Sequence, residues 1–368
     1  MKKSRRRILI DICHPAEVHH FKYVYQELAA RGWSILFAAK DKDVVEALLL
    51  AYDLPHVLFS ESQEGILKKL LHVPVELWRF AKIVRAYRPT FILSNLSIHS
   101  SWISYLFRIT HIAFIDTEHR RVLDYVTLPF ADVKLTPRAY QRCLGQNHIR
   151  YNGNHEVTYL HPLRYRADSS IREVLGLEAD EKYVILRFVG WHAFHDVGLT
   201  GLDLAKKMLL VEQLSQARRV FISSETALPE PLLPFLLKIS VERMHDALAC
   251  ADAYIGEGGT MASEAACLGT PAAYLNSLRL GYVDEEERYG LLQQFDRLDH
   301  RALNTILATG KSIKHAAKAS RFWRDQLDVV DFIVKFLHNY PGSLYRNLYE
   351  EEFFCEKKRA NEKTIFNN

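Results

Sequence analysis

The feature that most restricts how this chain can fold is a strand–helix alternation that starts, runs its course and starts again. A buried apolar run over residues 7–12 is followed by a polar turn at His14-Pro15 and a helical pattern from about Val18 to Ala30, which Gly32 stops. Trp33 to Ala39 reads as a second strand, Asp43 to Leu50 as a helix, Val57 to Phe59 as a short strand, and Leu67 to Tyr87 as a long amphipathic helix ended by Pro89. Short apolar runs follow at 91–93, 112–115 and 133–135, with a helix over 101–107. After the polar stretch Tyr165 to Ser170 the pattern restarts, with strands at 183–188, 219–222, 253–256 and 272–275 and helices at 203–214, 241–250 and 261–268. Residues 312–339 read as helix, and the tail from about Tyr349 is charged and aperiodic. Strands alternating with helices imply parallel sheets covered on both faces. The expectation is therefore an α/β protein of two doubly wound domains, 1–165 and 166–345, the second including the C-terminal helices, with a tail over 346–368.

Composition excludes several classes. The 368 residues are 48% apolar and 25% charged, values ordinary for globular proteins, so two cores can be filled and bulk disorder is not expected. The net charge of +4 owes much to Lys2, Lys3, Arg5, Arg6 and Arg7 at the start, read as a solvated terminus; no basic stripe points to nucleic acid. Cys13, Cys143, Cys250, Cys267 and Cys355 lack CxxC spacing and indicate neither a disulfide framework nor a zinc motif. The run ILIDIC is too short for a signal-peptide core, and no stretch reaches the roughly 18 apolar residues of a membrane span, so a cytoplasmic location is expected.

The most informative segment is IGEGGTMASEAACLGTPAAYL, residues 255–275. A strand ends at Gly256, Gly258 and Gly259 allow a tight turn or the close approach of a ligand, and Thr260 is placed to cap a helix starting at Met261. Unpaired amides and the positive end of that helix suit an anion such as a diphosphate. Glu264, one turn in, can accept hydrogen bonds from two vicinal hydroxyls, as on a ribose; equally, it answers the helix dipole and the glycine pair is an ordinary loop.

The pattern GGTMASEAACLGTP resembles the nucleotide-sugar motif of GT-B proteins, as in the membrane-associated N-acetylglucosaminyltransferase of peptidoglycan synthesis and the non-hydrolysing UDP-N-acetylglucosamine 2-epimerases. Up to about residue 345 the chain resembles a bacterial and archaeal domain-of-unknown-function family described as predicted glycosyltransferases. It does so on HPAEVHHFK (14–22), IDTEH (115–119), TYLHPLRY (158–165), RFVGWHAFHDVG (187–198) and GEGGTMASEAACLGTP (256–271). The resemblance implies a GT-B fold, two Rossmann-like domains with a cleft between them. It implies that Gly258, Gly259 and Thr260 meet a diphosphate and that Glu264 binds the ribose. It implies too that Arg187 and the loop Gly190 to Asp196, with His192 and His195, close on the phosphates or the sugar. Ser223 and Ser224, after another strand, face the same cleft or form a polar turn before a helix. His192, His195 and Asp196 are better read as hydrogen-bonding groups than as metal ligands, since GT-B proteins generally work without a metal; a metal-independent reaction with no cofactor is expected, its substrate a nucleotide diphosphate sugar, UDP-linked.

In the first domain, His14, Glu17 and His19 follow strand one, where related transferases carry a polar loop facing the acceptor, and a histidine there suits a general base. The alternative is a simple turn at His14-Pro15, with His19 or His20 on a solvated helix face. Asp116, Glu118 and His119 follow the run 112–115 and suit acid–base work, or Asp116-Thr117 caps a helix; Asn95 and His99 are weaker candidates. The helix LWRFAKIVRAYR, 77–88, mixes aromatic and basic residues; it either faces the core with solvated arginines or rests on the inner face of a membrane that presents a lipid-linked acceptor. The leading expectation is a glycosyltransferase moving a sugar to a polysaccharide or glycolipid acceptor. The alternatives are a non-hydrolysing UDP-N-acetylhexosamine 2-epimerase and a non-catalytic nucleotide-sugar-binding protein.

Overall fold

A computed structural model describes residues 6–61, 66–119, 121–178, 180–190, 201–344 and 353–354. The chain divides into two compact units, residues 1–159 with 327–368, and residues 160–326.

The first unit runs β1 (Arg7–Ile12), α1 (Pro15–Ala30), β2 (Ser34–Asp41), α2 (Val45–Ala51), β3 (His56–Glu61), α3 (Ile66–Tyr87), β4 (Phe91–Ser94), α4 (Ile98–Phe107), β5 (Thr110–Phe114), α5 (Arg121–Thr127), β6 (Val133–Pro137), β7 (His148–Tyr151) and α6 (Val157–Leu160). Its strands lie in the order β7-β6-β5-β4-β1-β2-β3, all parallel, and residues 353–354 add a short antiparallel strand beyond β7. In β1 all residues after Arg7 are buried, the signature of a central strand covered on both faces. The strand order reverses between β1 and β4, and at such a switch point the carboxyl ends of the strands open a crevice.

The second unit comprises α7 (Ile171–Val174), β8 (Tyr183–Phe188), α8 (Leu204–Ser215), β9 (Arg219–Ser224), α9 (Met244–Cys250), β10 (Ala253–Gly256), α10 (Gly259–Cys267), β11 (Ala272–Leu275), α11 (Gly281–Tyr289), β12 (Leu292–Phe295), α12 (His300–Ala308) and α13 (Ile313–Asp325). Its parallel sheet has the order β12-β11-β10-β8-β9, with its switch point between β8 and β10. Val184, Leu186, Ile222, Ile255 and Leu275 from these strands share one core with Leu210 and Leu214 of α8.

The boundary expected near 165 falls earlier because the polar stretch is tied to α9. The Tyr165 hydroxyl donates to Asp246 Oδ1 at 2.5 Å, and the Asp168 amide donates to the same oxygen at 3.0 Å. The helix expected over 312–339 is two helices. α13 packs on α10 and α11, whereas α14 (Val329–Asn339) crosses back to α1 in the first unit, burying Val330, Phe332, Ile333, Phe336 and Leu337. Asp328 starts α14 by accepting from the Asp331 amide at 3.1 Å, so a local cap splits what composition presents as continuous. Cys143 is disulfide-bonded, which the scattered spacing did not disclose, while Cys13, Cys250 and Cys267 are reduced. No helix among the described residues is long and apolar enough to cross a membrane.

Candidate functional site

The carboxyl edge of the first sheet holds a carboxylate–imidazole pair, Asp116 half-buried and His155 buried. Asp116 follows β5, and His155 follows β7 through the turn Asn152 to Asn154. His155 Nδ1 lies 3.0 Å from Asp116 Oδ2, and the Thr117 hydroxyl donates to Asp116 Oδ1 at 2.9 Å. Burial alone would raise the Asp116 carboxyl, but the neighbouring His155 outweighs it and holds the group well below the usual range. An ionised Asp116 can only accept, so His155 donates from Nδ1, and Nε2 is the ring nitrogen left to exchange a proton. That nitrogen is buried and has no hydrogen-bond partner among the described residues.

His20 of α1 stacks on His155 with ring centroids 4.3 Å apart. The Thr158 hydroxyl donates to the His155 carbonyl at 2.6 Å, so at 3.2 Å it accepts from His20 Nδ1. Burial first, and His155 second, push the His20 pKa far below the usual imidazole value, which keeps the ring neutral. Sequence reasoning did not single out His155. Its signal was NGNHE, residues 152–156, legible only once HIRY is recognised as strand β7.

The other residues expected in this unit have separate duties. His14 caps α1: its Nδ1 accepts from the Ala16 amide at 3.2 Å, which leaves the proton of the neutral ring on Nε2. Glu17, expected beside it, reaches back to accept from the Cys13 amide at 2.6 Å. His19 is buried, its Nδ1 3.3 Å from the Tyr52 hydroxyl and its ring 5.4 Å from that of Tyr159. His19 and His20 therefore do not lie on a solvated face. Glu118 turns toward Gln141, whose amide it faces at 3.4 Å, and Arg142 donates to the Glu118 carbonyl at 3.1 Å.

A second buried polar group occupies the switch point itself. Asp11, at the end of β1, accepts from the hydroxyls of Ser97 and Ser100. Nearby, Glu76 of α3 is held by Lys40 at 2.6 Å, Ser60 at 2.7 Å and His99 Nε2 at 3.0 Å. Burial would raise the Glu76 carboxyl, yet hydrogen bonds from His99, Lys40 and Ser60 bring it down to about 2.

In the second unit, α10 begins where β10 ends, at the β8/β10 switch point. The capping expected of Thr260 is corrected. The N-cap is Gly258, without a side-chain cap bond, and the helix starts at Gly259, which leaves Thr260 two residues past the cap position. The amides of Gly259, Thr260 and Met261 precede any possible intrahelical acceptor, and Thr260 is half-buried rather than sealed. Packing accounts for two glycines here: a Cβ on Gly256 would lie 2.8 Å from Arg187 Cβ, and one on Gly259 2.8 Å from Leu280 Cδ1. Glu264 is only 5% exposed, and its Oε1 is 3.1 Å from His245 Nε2 on α9.

Arg187, at the end of β8, donates to Ser223 Oγ at 2.7 Å and to Glu225 Oε1 at 2.8 Å, so its charge already has a carboxylate beside it. Ser224 Oγ accepts from the Thr226 amide at 3.3 Å. Buried Glu257 accepts from the amides of Val189 at 3.2 Å and Leu202 at 2.5 Å, anchoring both flanks of the segment between them. His192 and His195 lie outside the described residues.

Solved structures share this architecture. A putative UDP-N-acetylglucosamine 2-epimerase from Listeria monocytogenes matches with a TM-score of 0.63 at 10% identity, over 92% of this chain and 96% of that one. The glycotransferase of kitacinnamycin matches at 0.61 and 14% identity, over 91% and 99%. The spinosyn rhamnosyltransferase SpnG, complexed with thymidine diphosphate, matches at 0.59 and 15% identity, over 91% and 100%. At such identities the likeness carries the fold, which is the expected GT-B fold of two Rossmann-like units. The uncharacterized protein MJ0665 of Methanocaldococcus jannaschii is 21% identical over 310 residues, 80% of this chain and 87% of its own length. The resemblance first seen in five short motifs extends along the chain: residues 6–286 match the family described as Protein of unknown function (DUF354), and to that family this protein belongs.

Proposed function

We propose that the protein acts on a nucleotide diphosphate sugar, UDP-linked by our reading, and transfers its glycosyl group to an acceptor hydroxyl. The observation that carries this is the Asp116–His155 pair, whose far imidazole nitrogen has no hydrogen-bond partner among the described residues. His155 Nε2 takes the acceptor proton as the acceptor oxygen bonds to the anomeric carbon, and ionised Asp116 stabilises the imidazolium that forms. The diphosphate leaves with the bonding electron pair, and its charge is met by the first amides of α10. Glu264 binds the ribose hydroxyls and takes no part in bond making. No metal enters these steps.

Thermal-shift measurements across nucleotide sugars test the donor half, because a ligand at about 100 times its Kd stabilises the fold by about 2.7 kcal/mol. Silence from every nucleoside diphosphate sugar would sink the reading.

Epimerisation of a UDP-N-acetylhexosamine is the second reading, favoured by how deep the proton-handling groups lie: His155 is 5% exposed, and a second neutral imidazole is stacked on it. Enclosed groups suit the removal and return of a proton on the sugar itself. Incubation with UDP-N-acetylglucosamine alone separates the two: UDP release or a new hexosamine without an acceptor means epimerisation, and turnover only with an acceptor means transfer. A non-catalytic binding protein predicts a thermal shift and no turnover in either assay.

A further inference from the structure

We infer that Asp11, Cys13 and His99, gathered at the switch point of the first sheet, form a binding site for a zinc-like divalent transition metal. A carboxylate oxygen of Asp11, the Cys13 sulfur and a ring nitrogen of His99 all lie within 4.8 Å of one another. A tetrahedral zinc about 2.0–2.3 Å from each donor sets the donors roughly 3.3–3.8 Å apart, so closing the site draws them together by at most about 1.5 Å.

Beyond proximity, His99 itself calls for a partner on its second nitrogen. His99 Nε2 faces Glu76 Oε2 at 3.0 Å, and Glu76 is flanked by Lys40 at 2.6 Å and Ser60 at 2.7 Å, which make it an acceptor. The imidazole therefore donates from Nε2, which leaves Nδ1 as the nitrogen free to bind a metal. His99 is 6% exposed, and Nδ1 is buried with no partner among the described residues. A buried basic nitrogen with nothing to bind is costly, and a metal ion relieves it. The carboxylate–imidazole pair on its far side is the outer-shell arrangement that orients metal-bound histidines.

The other two donors lie against each other. Asp11 is fixed by the Ser100 hydroxyl at 2.6 Å and by that of Ser97, and the Cys13 thiol points at Asp11 Oδ1 from 3.7 Å. A metal would displace the thiol proton and take the sulfur as thiolate. Sulfur, nitrogen and oxygen together favour zinc over magnesium or calcium, which take oxygen ligands. Three protein ligands, with Cys13 only half-buried, leave a fourth position for water or substrate. The inference departs from the metal-free expectation drawn from the resemblance, and it does not depend on the proposed transfer.

The test uses the full-length protein stripped of metal and dialysed against zinc or cobalt(II). The expected result is one equivalent bound per chain, a near-ultraviolet sulfur-to-cobalt charge-transfer band, and protection of Cys13 from alkylation, read by peptide mapping. Cys13→Ser should abolish the band, and Glu76→Gln should weaken affinity about ten- to hundredfold, the usual effect of losing an outer partner. Should Cys13→Ser fail to fold, alkylation of the native protein still decides. Less than stoichiometric metal, cobalt bound without the band, or a Cys13 equally reactive with and without zinc overturns the site.

Discussion

In the proposed transfer Asp116 decides which nitrogen of His155 handles the proton. Asp116 can only accept from Nδ1, so Nε2 is left to take it. Asparagine at 116 can donate instead, which turns the tautomer over and puts the proton on the nitrogen that should receive one. Asp116→Asn and His155→Gln are therefore each expected to lower kcat about 10²- to 10⁴-fold while nucleotide-sugar affinity stays unchanged, as steady-state kinetics and calorimetry on the identified donor would show. In the proposed reaction Glu264 holds the donor's ribose. Glu264→Ala should weaken nucleotide binding by about 1.5–3 kcal/mol, the scale of a charge-assisted hydrogen bond. An unaltered Kd would remove Glu264 from the ribose. The same variant leaves the buried His245 imidazole without its carboxylate, so affinity is best compared well below the melting temperature.

Elements decide which of these side chains can be presented at all. Gly256, which ends β10 just before α10, has no room for a Cβ: one there would lie 2.7 Å from Tyr254 Cζ and 2.8 Å from Arg187 Cβ. Tyr254 is fully buried, and Arg187 Cβ belongs to the neighbouring strand, so neither can give way easily. Gly256→Ala is expected to cost about 1–3 kcal/mol, seen as a lower melting temperature. Helices α3, α4 and α5 present another feature of the first unit. The expected aromatic and basic stripe of α3 is divided: Phe80 and Val84 enter the core, while Trp78 stays exposed with Lys82 Nζ 3.5 Å over its ring. On the adjoining helices Trp102, Tyr105, Leu106 and Tyr125 are exposed, Tyr125 by 83%. The membrane alternative for this helix predicts that the protein sediments with anionic vesicles and that Trp78→Ser with Tyr125→Ser releases it, with melting unchanged because exposed positions contribute little. Failure of the native protein to sediment would count against membrane contact.

For the whole molecule, buried neutral histidines set the response to acid. Burial holds both His111 and His148 at about 3, against 6.5 for the ordinary imidazole. The unfolded chain then takes up protons that the folded chain refuses. The contribution of these groups to stability is complete above pH 6.5 and is lost as pH falls toward 3. By about pH 5 the loss is roughly 2 kcal/mol for each ring. A melting temperature that drops between pH 7 and 5, with a shallower drop in His148→Gln, is the expected outcome; a flat profile would contradict it. Glu76 has the same sign in a lower window, its contribution present above the ordinary 4.5 and lost toward 2.

How much was legible follows from what each signal depends on. Strand–helix alternation is a local consequence of burying one face of each element, so the two doubly wound units could be read directly, and β8, β10 and β11 fall on the expected residues. The glycine turn before α10 was legible for the same reason. HIRY and LQQF were passed over as strands because Arg150, Gln293 and Gln294 interrupt their apolar pattern, and with β7 went His155. The pairing of Asp116 with His155, of Glu264 with His245, and the gathering of Asp11, Cys13 and His99 join residues far apart in the chain. So does the return of α14 to α1. The amino-acid order determined the elements and the kind of protein they build. Strand order and helix packing alone decided which distant side chains share a low-dielectric pocket, where proximity and lost solvation fix their protonation.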